Sequence, residues 1–237
     1  MNETIELMKG HTSVRRFTDE VIPDEILSEL LSAGQAASSW KNFQSYSVIH
    51  VTDPQLKERI FELVPQEAIR QSAAFLVFLG DLNRAEKGTR LHTDHFHAEG
   101  VENLLISSVD ASLAAQNTLL AAESLGYGGV MIGLLRYKAQ ELGELLGLPD
   151  YVYPIFGMAL GRPDQQHAVK PRLPQKAVVF ENTYQEQGEA TIQTYDQVQA
   201  DYAGARATTT WSQRLAEQFG QPEHPAIASY LKEKKLL

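Results

Sequence analysis

The 237-residue sequence contains no cysteine. That excludes disulfides, thiolate metal centres and cysteine nucleophiles together, and it suits a reducing compartment. Positive charge is also scarce: 21 Lys and Arg stand against 30 Asp and Glu, a formal charge of −9. Duplex nucleic acid is bound through a basic face that displaces counterions, so nucleic acid is not an expected partner. No apolar run suits a bilayer. The longest, about 101–126, carries Glu102, Asp110, Gln116, Asn117 and Glu123. A span needs about 20 largely apolar residues, so a buried helix is expected here and a membrane is not. Met1-Asn2-Glu3-Thr4 has neither a basic n-region nor an apolar h-region, so no signal peptide is expected, and a cytoplasmic location is.

Several chemical signatures are missing too. No GxSxG nucleophile elbow occurs, and no HExxH. The glycine-rich run Gly126-Tyr127-Gly128-Gly129-Val130-Met131-Ile132-Gly133 fails the dinucleotide fingerprint, because Met131 stands at its third glycine. It fails the P-loop because Leu134-Leu135 replaces Lys-Ser/Thr. There is no internal repeat.

What is present is a globular balance, 43 % hydrophobic and 22 % charged. Helices are expected over 4–9, from Pro23-Asp24-Glu25 with its Ile26, Leu27, Leu30, Leu31 stripe, over 54–63, from Glu102 to Gly126, and over 138–146. Strands are expected at 47–51, 74–79, 128–133 and 153–160. The continuous apolar run Ala74–Leu79 reads as a strand buried on both faces. Residues 81–98 show no period and read as a loop. Beyond about Glu181 the chain turns polar, with Gln185, Gln187, Gln193, Gln197 and Gln199. Such an arm is not expected to fold alone, and should lie across the main body or a second subunit. The order of elements predicts a mixed α/β layer protein, with a core over 1–180 and an extension over 181–237.

Five clusters offer chemistry. His11-Thr12-Ser13-Val14-Arg15-Arg16 combines hydroxyls with forked guanidinium donors, which suits a phosphate or a solvated basic turn. In Lys170-Pro171-Arg172 the prolines hold the chain extended, so the two cations project together, as an anion pair-grip or as exposed charges on a connector. Ser38-Ser39-Trp40-Lys41-Asn42-Phe43-Gln44 either reads the polar edge of a planar heterocycle or simply ends a helix. The glycines of 126–133 let a backbone pass close to something flat, or let the chain leave a helix. His92, His95 and His97 with Asp94 could hold a divalent metal, but lie in a tract without an ordered framework, and no metal site is expected.

Taken together the pieces resemble the nitroreductase superfamily, most closely its NADPH-dependent flavin reductase and group A oxygen-insensitive nitroreductase branch. The matching stretches run in order along the whole chain: GHTSVRRFTDE (10–20), AASS (36–39), AQNTLLAAESLGYGGVMIGLLR (115–136), FGMALGRPDQ (156–165), VKPRLPQKAVVFENTYQE (169–186), and YDQ (195–197) followed by TWSQ (210–213). The resemblance implies an α+β homodimer with a mixed central sheet flanked by helices. It implies C-terminal arms that wrap the partner and FMN bound at the interface. It places His11, Thr12, Ser13 and Arg15 around the FMN phosphate, with Lys170 and Arg172. It places Ser39, Asn42, Gln66 and the backbone of Met131, Ile132, Gly133 and Leu134 at the ring. Trp40, Lys41 and Glu102 fall on the substrate side, and Arg206 matches a residue for the nicotinamide phosphates. The activity implied is hydride transfer from NADPH or NADH, through FMN, to nitroaromatics, quinones or free flavin by a ping-pong route. A non-catalytic FMN carrier or sensor is the alternative. This chain departs from the branch at Thr12, at Trp40-Lys41, at Leu134, and after Arg206, where further basic residues are lacking.

Overall fold

A computed structural model describes residues 2–222 and 224–237. The chain divides into two compact units, Met1–His167 with Pro225–Leu237, and Ala168–His224. The segment 181–237 is thereby shared between them.

The larger unit is built on four strands, β1 (Tyr46–His50), β2 (Ala74–Asp81), β3 (Gly128–Ile132) and β4 (Val152–Gly161), in the order β1-β2-β4-β3. All three pairings are antiparallel, which corrects the mixed sheet expected from sequence while the α+β class stands. The mixed sheet came with the resemblance and not from the strands' own pattern, since a continuous apolar run reports burial on both faces and not strand direction. Both β2 and β4 are buried along their whole length. Alternate residues feed opposite layers, as a period of two requires. Leu76, Phe78, Met158 and Leu160 enter one core cluster. Phe75, Val77, Leu79 and Ala159 enter the other.

Helices α1 (Glu3–Lys9), α2 (Asp24–Gln35), α3 (Pro54–Leu63), α4 (Glu67–Gln71), α5 (Asn83–Arg90), α6 (Val101–Ser124), α7 (Ala139–Leu145) and α10 (Ala226–Glu233) belong to the same unit. The expected loop at 81–98 is corrected, because α5 occupies its first half. No residue of α5 is buried, so it has no apolar face for a periodicity to reveal. Its start is set instead by Asp81, whose carboxylate accepts from the Asn83 N–H at 2.9 Å, and an Arg90–Glu86 pair one turn apart supports it.

The long helix α6 organises the unit. Its buried stripe is Ser107, Asp110, Ala111, Ala114, Ala115, Thr118, Leu119 and Ala122, nearly all small. Small residues let α2 come close: a Cβ on Gly34 would stand 2.3 Å from the Thr118 hydroxyl. On another face Val101, Leu105, Val109 and Leu113 repeat every four residues and are 65 %, 55 %, 53 % and 42 % exposed. No helix of the described residues is long and apolar enough to cross a membrane.

At the far end of the chain, α10 and the residues after it return to this unit, burying Tyr230, Leu231 and Leu236. The Tyr230 ring fits because residue 143 is glycine, where a Cβ would fall 2.5 Å from the phenol oxygen. Three apolar anchors among the last residues are enough to overcome the polar composition before them.

The smaller unit holds α8 (Glu189–Ala203) and α9 (Trp211–Phe219). The YDQ and TWSQ motifs explain each other there. Tyr195 packs edge-on to Trp211 with centroids 5.0 Å apart. Asp196 accepts from the Ser212 N–H at 2.8 Å and its hydroxyl at 2.5 Å, which holds the Asp196 carboxyl below its usual range. Thr210 and Gln213 close a capping box on α9.

Candidate functional site

The basic stretch after α1 runs beside the exposed flank of β3. Val14 donates its N–H to the Gly129 carbonyl at 2.9 Å, and Phe17 forms an isolated bridge with Pro163. Val14 turns inward and is buried. It can do so because Gly128 lacks a side chain: a Cβ there would lie 2.6 Å from Val14 Cγ2. Arg15 and Arg16 remain exposed on either side of the next peptide. Gly128 thus makes room for the Val14 side chain, and Gly126, with φ of 78°, lets the chain leave α6, which is one of the two readings left open.

The approach brings most of the expected ring residues together. A cavity of about 150 Å³ is lined by Arg15, Gln66, Ala68, Val130, Met131, Ile132, Gly133 and Leu134. Arg15 and Gln66 are over fifty residues apart in sequence, and meet because α4 and β3 bound the same hollow. The Arg15 guanidinium has no hydrogen bond or ion pair among the described residues, so its donors are available. Gln66 precedes the first turn of α4, and its amide donates only a long 3.3 Å bond to the Pro65 carbonyl.

His11 is placed differently. Its Nδ1 lies 2.5 Å from Glu123 Oε1, on the last turn of α6. Ser13 shows its carbonyl to the Gln165 amide at 3.4 Å. Thr12 and Ser13 are half-buried.

The loop after α2 does not line that cavity. Lys41, Asn42 and Gln44 all have positive φ (49°, 59° and 52°), a conformation that costs about 1 kcal/mol or more per non-glycine residue. Two opposite charges brace it. Asp110, only 1 % exposed, accepts from the Trp40 N–H at 2.9 Å and the Ser45 N–H at 3.0 Å. Arg84 donates to the carbonyls of Gln44, at 2.9 Å, and Tyr46. Burial pushes the Tyr46 phenol up; Arg84 pulls it down and Asp110 adds to the rise. The loop presents Trp40 edge-on to Phe43, 5.4 Å apart, with Lys41 Nζ 4.5 Å over the Trp40 ring. Beside it opens a larger cavity of about 870 Å³, lined by Phe43, Gln44, Tyr46, Arg84 and parts of α2 and α6; Phe43 and Gln44 belong to the candidate loop, and none of its lining is among the residues the resemblance assigns.

The remaining expected residues stand apart. Glu102 lies exposed in the first turn of α6. His92, His95 and His97 are exposed, and no group of three metal-ligating side chains gathers among the described residues. In the smaller unit, the Tyr195 hydroxyl and the Gln199 amide hold the Pro171 carbonyl at 2.9 and 3.0 Å, which lashes the 168–172 segment to α8 and leaves Lys170 and Arg172 exposed. Arg206, in the turn just beyond α8, donates to the Ala203 carbonyl at that helix's end, at 3.3 Å.

Sequence reasoning missed Asp110 and Glu123, the two carboxylates that hold the loop and His11. The signal was there: they are the two charged residues within 103–124 of a largely buried helix, where an unpartnered charge is costly.

Comparison with known proteins agrees with the geometry. The nitroreductase family model matches residues 8–162, and the model of the nitroreductase family C-terminal domain matches residues 170–237. The chain is 43 % identical to an NADPH-flavin oxidoreductase of Vibrio harveyi, covering 100 % of this chain and 99 % of the relative. It is 40 % identical to an FMN reductase [NAD(P)H] of Bacillus subtilis, over 99 % and 98 %. The crystal structure of nitroreductase A from Vibrio parahaemolyticus superposes with a TM-score of 0.93 at 43 % identity, covering 100 % of this chain and 98 % of that one. The chain belongs to the nitroreductase family.

Proposed function

We propose that the chain is an FMN-dependent reductase that takes hydride from NADPH or NADH and delivers it to nitroaromatics, quinones or free flavin. The observation that carries this reading is the hollow joining the free Arg15 guanidinium, the Gln66 amide and the Met131–Leu134 backbone. These groups fit the cofactor: a fork for a phosphate, an amide for the polar edge of a ring, and a close backbone wall. Bound FMN supplies the hydride chemistry, which is why the chain needs no nucleophile or acid–base dyad. The chain's part is to hold and orient. Arg15, with His11, Thr12 and Ser13, takes the phosphate, and the resemblance adds Lys170 and Arg172 to that set. Gln66 and the 131–134 backbone take the ring. Glu102, Trp40 and Lys41 bound the acceptor, and Arg206 takes the nicotinamide phosphates. A cytoplasmic location goes with this reading, since the nicotinamide donor is supplied there.

The test is anaerobic. Adding NADPH or NADH to the purified yellow protein should bleach its visible band, and a nitro compound or quinone should restore it. A spectrum that does not respond to either nucleotide would leave only a flavin carrier, and a protein that takes up no FMN would end the reading altogether.

The working form in this proposal is a homodimer. A cavity of about 150 Å³ is smaller than the roughly 300–1,000 Å³ of ordinary ligand sites, so one chain provides a wall rather than an enclosure. Asp110 and Glu123 stand thirteen positions apart on α6, about 20 Å at 1.5 Å per residue. The loop held by the first is thus remote from the His11 held by the second. Two copies paired about a two-fold axis through the Val101, Leu105, Val109, Leu113 stripe run their α6 helices antiparallel. That pairing carries Ser39 and Asn42 of one subunit toward the Arg15 end of the other. Val109→Asp should yield a monomer by light scattering and release FMN with it. A dimer of unchanged dissociation constant would remove α6 from the interface.

A further inference from the structure

The cavity of about 870 Å³ beside the Trp40–Gln44 loop has no part in the flavin reading. Its volume falls within the roughly 300–1,000 Å³ of ordinary ligand sites. It also lies apart from the Arg15 hollow. Phe78 and Ala114 of its lining belong to one core cluster, with Leu31, Val48 and Ala85 packed against them. Val130, Ile132 and Ala68 of the hollow belong to the other cluster, across the sheet. No described residue lines both.

The lining sets the chemistry of what fits. Phe43, Tyr46 and Phe78 supply aromatic surface, and Leu31 and Val48 aliphatic surface. Arg84 is the only charged residue among the described lining, and its charge is already matched. Its Nη1 donates to Ser47 Oγ at 2.8 Å and to Asp81 Oδ2 at 3.1 Å, and its Nη2 to the Gln44 and Tyr46 carbonyls. A charged ligand would leave water here without a counter-ion. Three polar groups stay open: the Gln35 amide and the Tyr46 and Thr89 hydroxyls make no hydrogen bond among the described residues. Burial pushes the Tyr46 phenol up, so at neutral pH it keeps its hydrogen and can donate.

Gly88 adds an independent observation. Glycine inside a helix is unfavourable, yet α5 carries one there, on the cavity wall. No neighbour demands it, since a Cβ at 88 would meet nothing within 4 Å. What the missing side chain leaves is room.

We propose that this cavity is a second ligand site, one per chain, for a neutral aromatic molecule that carries a hydroxyl or carbonyl group. The rings and aliphatic side chains take the body of the ligand. Tyr46, Gln35 and Thr89 take its polar edge.

Naphthol is a suitable probe: a neutral fused ring with one hydroxyl and no group that accepts hydride. Calorimetry on the FMN-loaded full chain should show one equivalent bound per chain. Naphthalene sulfonate, the same ring made anionic, should bind at least tenfold more weakly. Gly88→Phe, which places a ring in the open space, should weaken naphthol at least tenfold and leave flavin content and the unfolding midpoint unchanged. Tyr46→Phe adds no bulk and serves as the second variant; it should weaken naphthol about fivefold, the scale of one neutral hydrogen bond. No binding to the parent, equal binding of the sulfonate, or affinity untouched by both variants would each overturn the proposal. Naphthol lodged at the flavin instead would survive both changes. A Gly88→Phe protein that becomes monomeric would overturn it too, because a second copy of the chain would then be what fills the cavity. A parent that takes up no FMN would strike the flavin reading and leave this binding measurement intact.

Discussion

Arg15→Ala should purify nearly colourless and bind added FMN some 10- to 150-fold more weakly than the parent. The size follows from one charge-assisted hydrogen bond, about 1.5–3 kcal/mol. It takes the upper part of the range if the guanidinium grips the phosphate with both prongs. The geometry makes Arg15 the sharper choice over its neighbour. Arg15 lines the hollow with Gln66 and the 130–134 backbone, and Arg16 does not. The two side chains are equal in charge and adjacent in sequence, but consecutive residues of a chain held alongside a strand project to different sides. Arg16→Ala should therefore change FMN affinity by less than about threefold, the scale of a screened surface charge. Equilibrium dialysis of both variants at one ionic strength makes the comparison. Equal losses would mean that bulk positive charge, and not a positioned fork, holds the cofactor. An unchanged constant for Arg15→Ala would take the phosphate away from this stretch.

That contrast shows what the sequence could carry. The strongly patterned elements were legible: α2, α6, β2 and β4 lie where their apolar residues put them. Arg15 and Met131–Leu134, which line one hollow, lie in the stretches that carry the family resemblance, whereas Gln66 lies outside them and came only with the resemblance. Three things were not. Helix α5 has no buried face, so the forces that form it are the bond from its first N–H to the Asp81 carboxylate and a surface ion pair, neither of which leaves a period. Strand direction was hidden because burial on both faces looks the same for parallel and antiparallel sheets. The carboxylates that organise the site were visible only as interruptions in α6. Asp110 and Glu123 counted against a membrane span, yet their partners, Trp40, Ser45 and His11, lie 65 to 112 residues away and only the fold joins them. The strain at Lys41, Asn42 and Gln44 was equally silent, since nothing in Trp-Lys-Asn-Phe-Gln announces three left-handed residues.

Removing Asp110 should have the largest effect on stability of any change near the site. Asp110→Ala should lower the unfolding free energy by about 2–4 kcal/mol. The carboxylate is 1 % exposed and takes two backbone N–H groups, at Trp40 and Ser45. Each bond to a charged acceptor is worth about 1.5–3 kcal/mol, but the two donors do not lose equally. Ser45 is buried, so its N–H is left without a partner, whereas Trp40 is 44 % exposed and water can replace the lost bond there. Relief of the left-handed residues offsets part of the cost, because the loop is then free to relax. Asp110→Asn is the informative companion. Its amide oxygen can accept from one N–H, while its NH₂ faces the other donor and cannot accept at all. The asparagine variant should therefore keep about half of the stability that alanine loses. Urea unfolding with a fixed slope measures both. If asparagine proves as stable as the parent, one of the two bonds contributes nothing, and the brace is a single tether. If alanine itself costs less than about 1 kcal/mol, the loop's conformation is held from elsewhere, by Arg84 through the Gln44 and Tyr46 carbonyls, and the carboxylate is incidental to it.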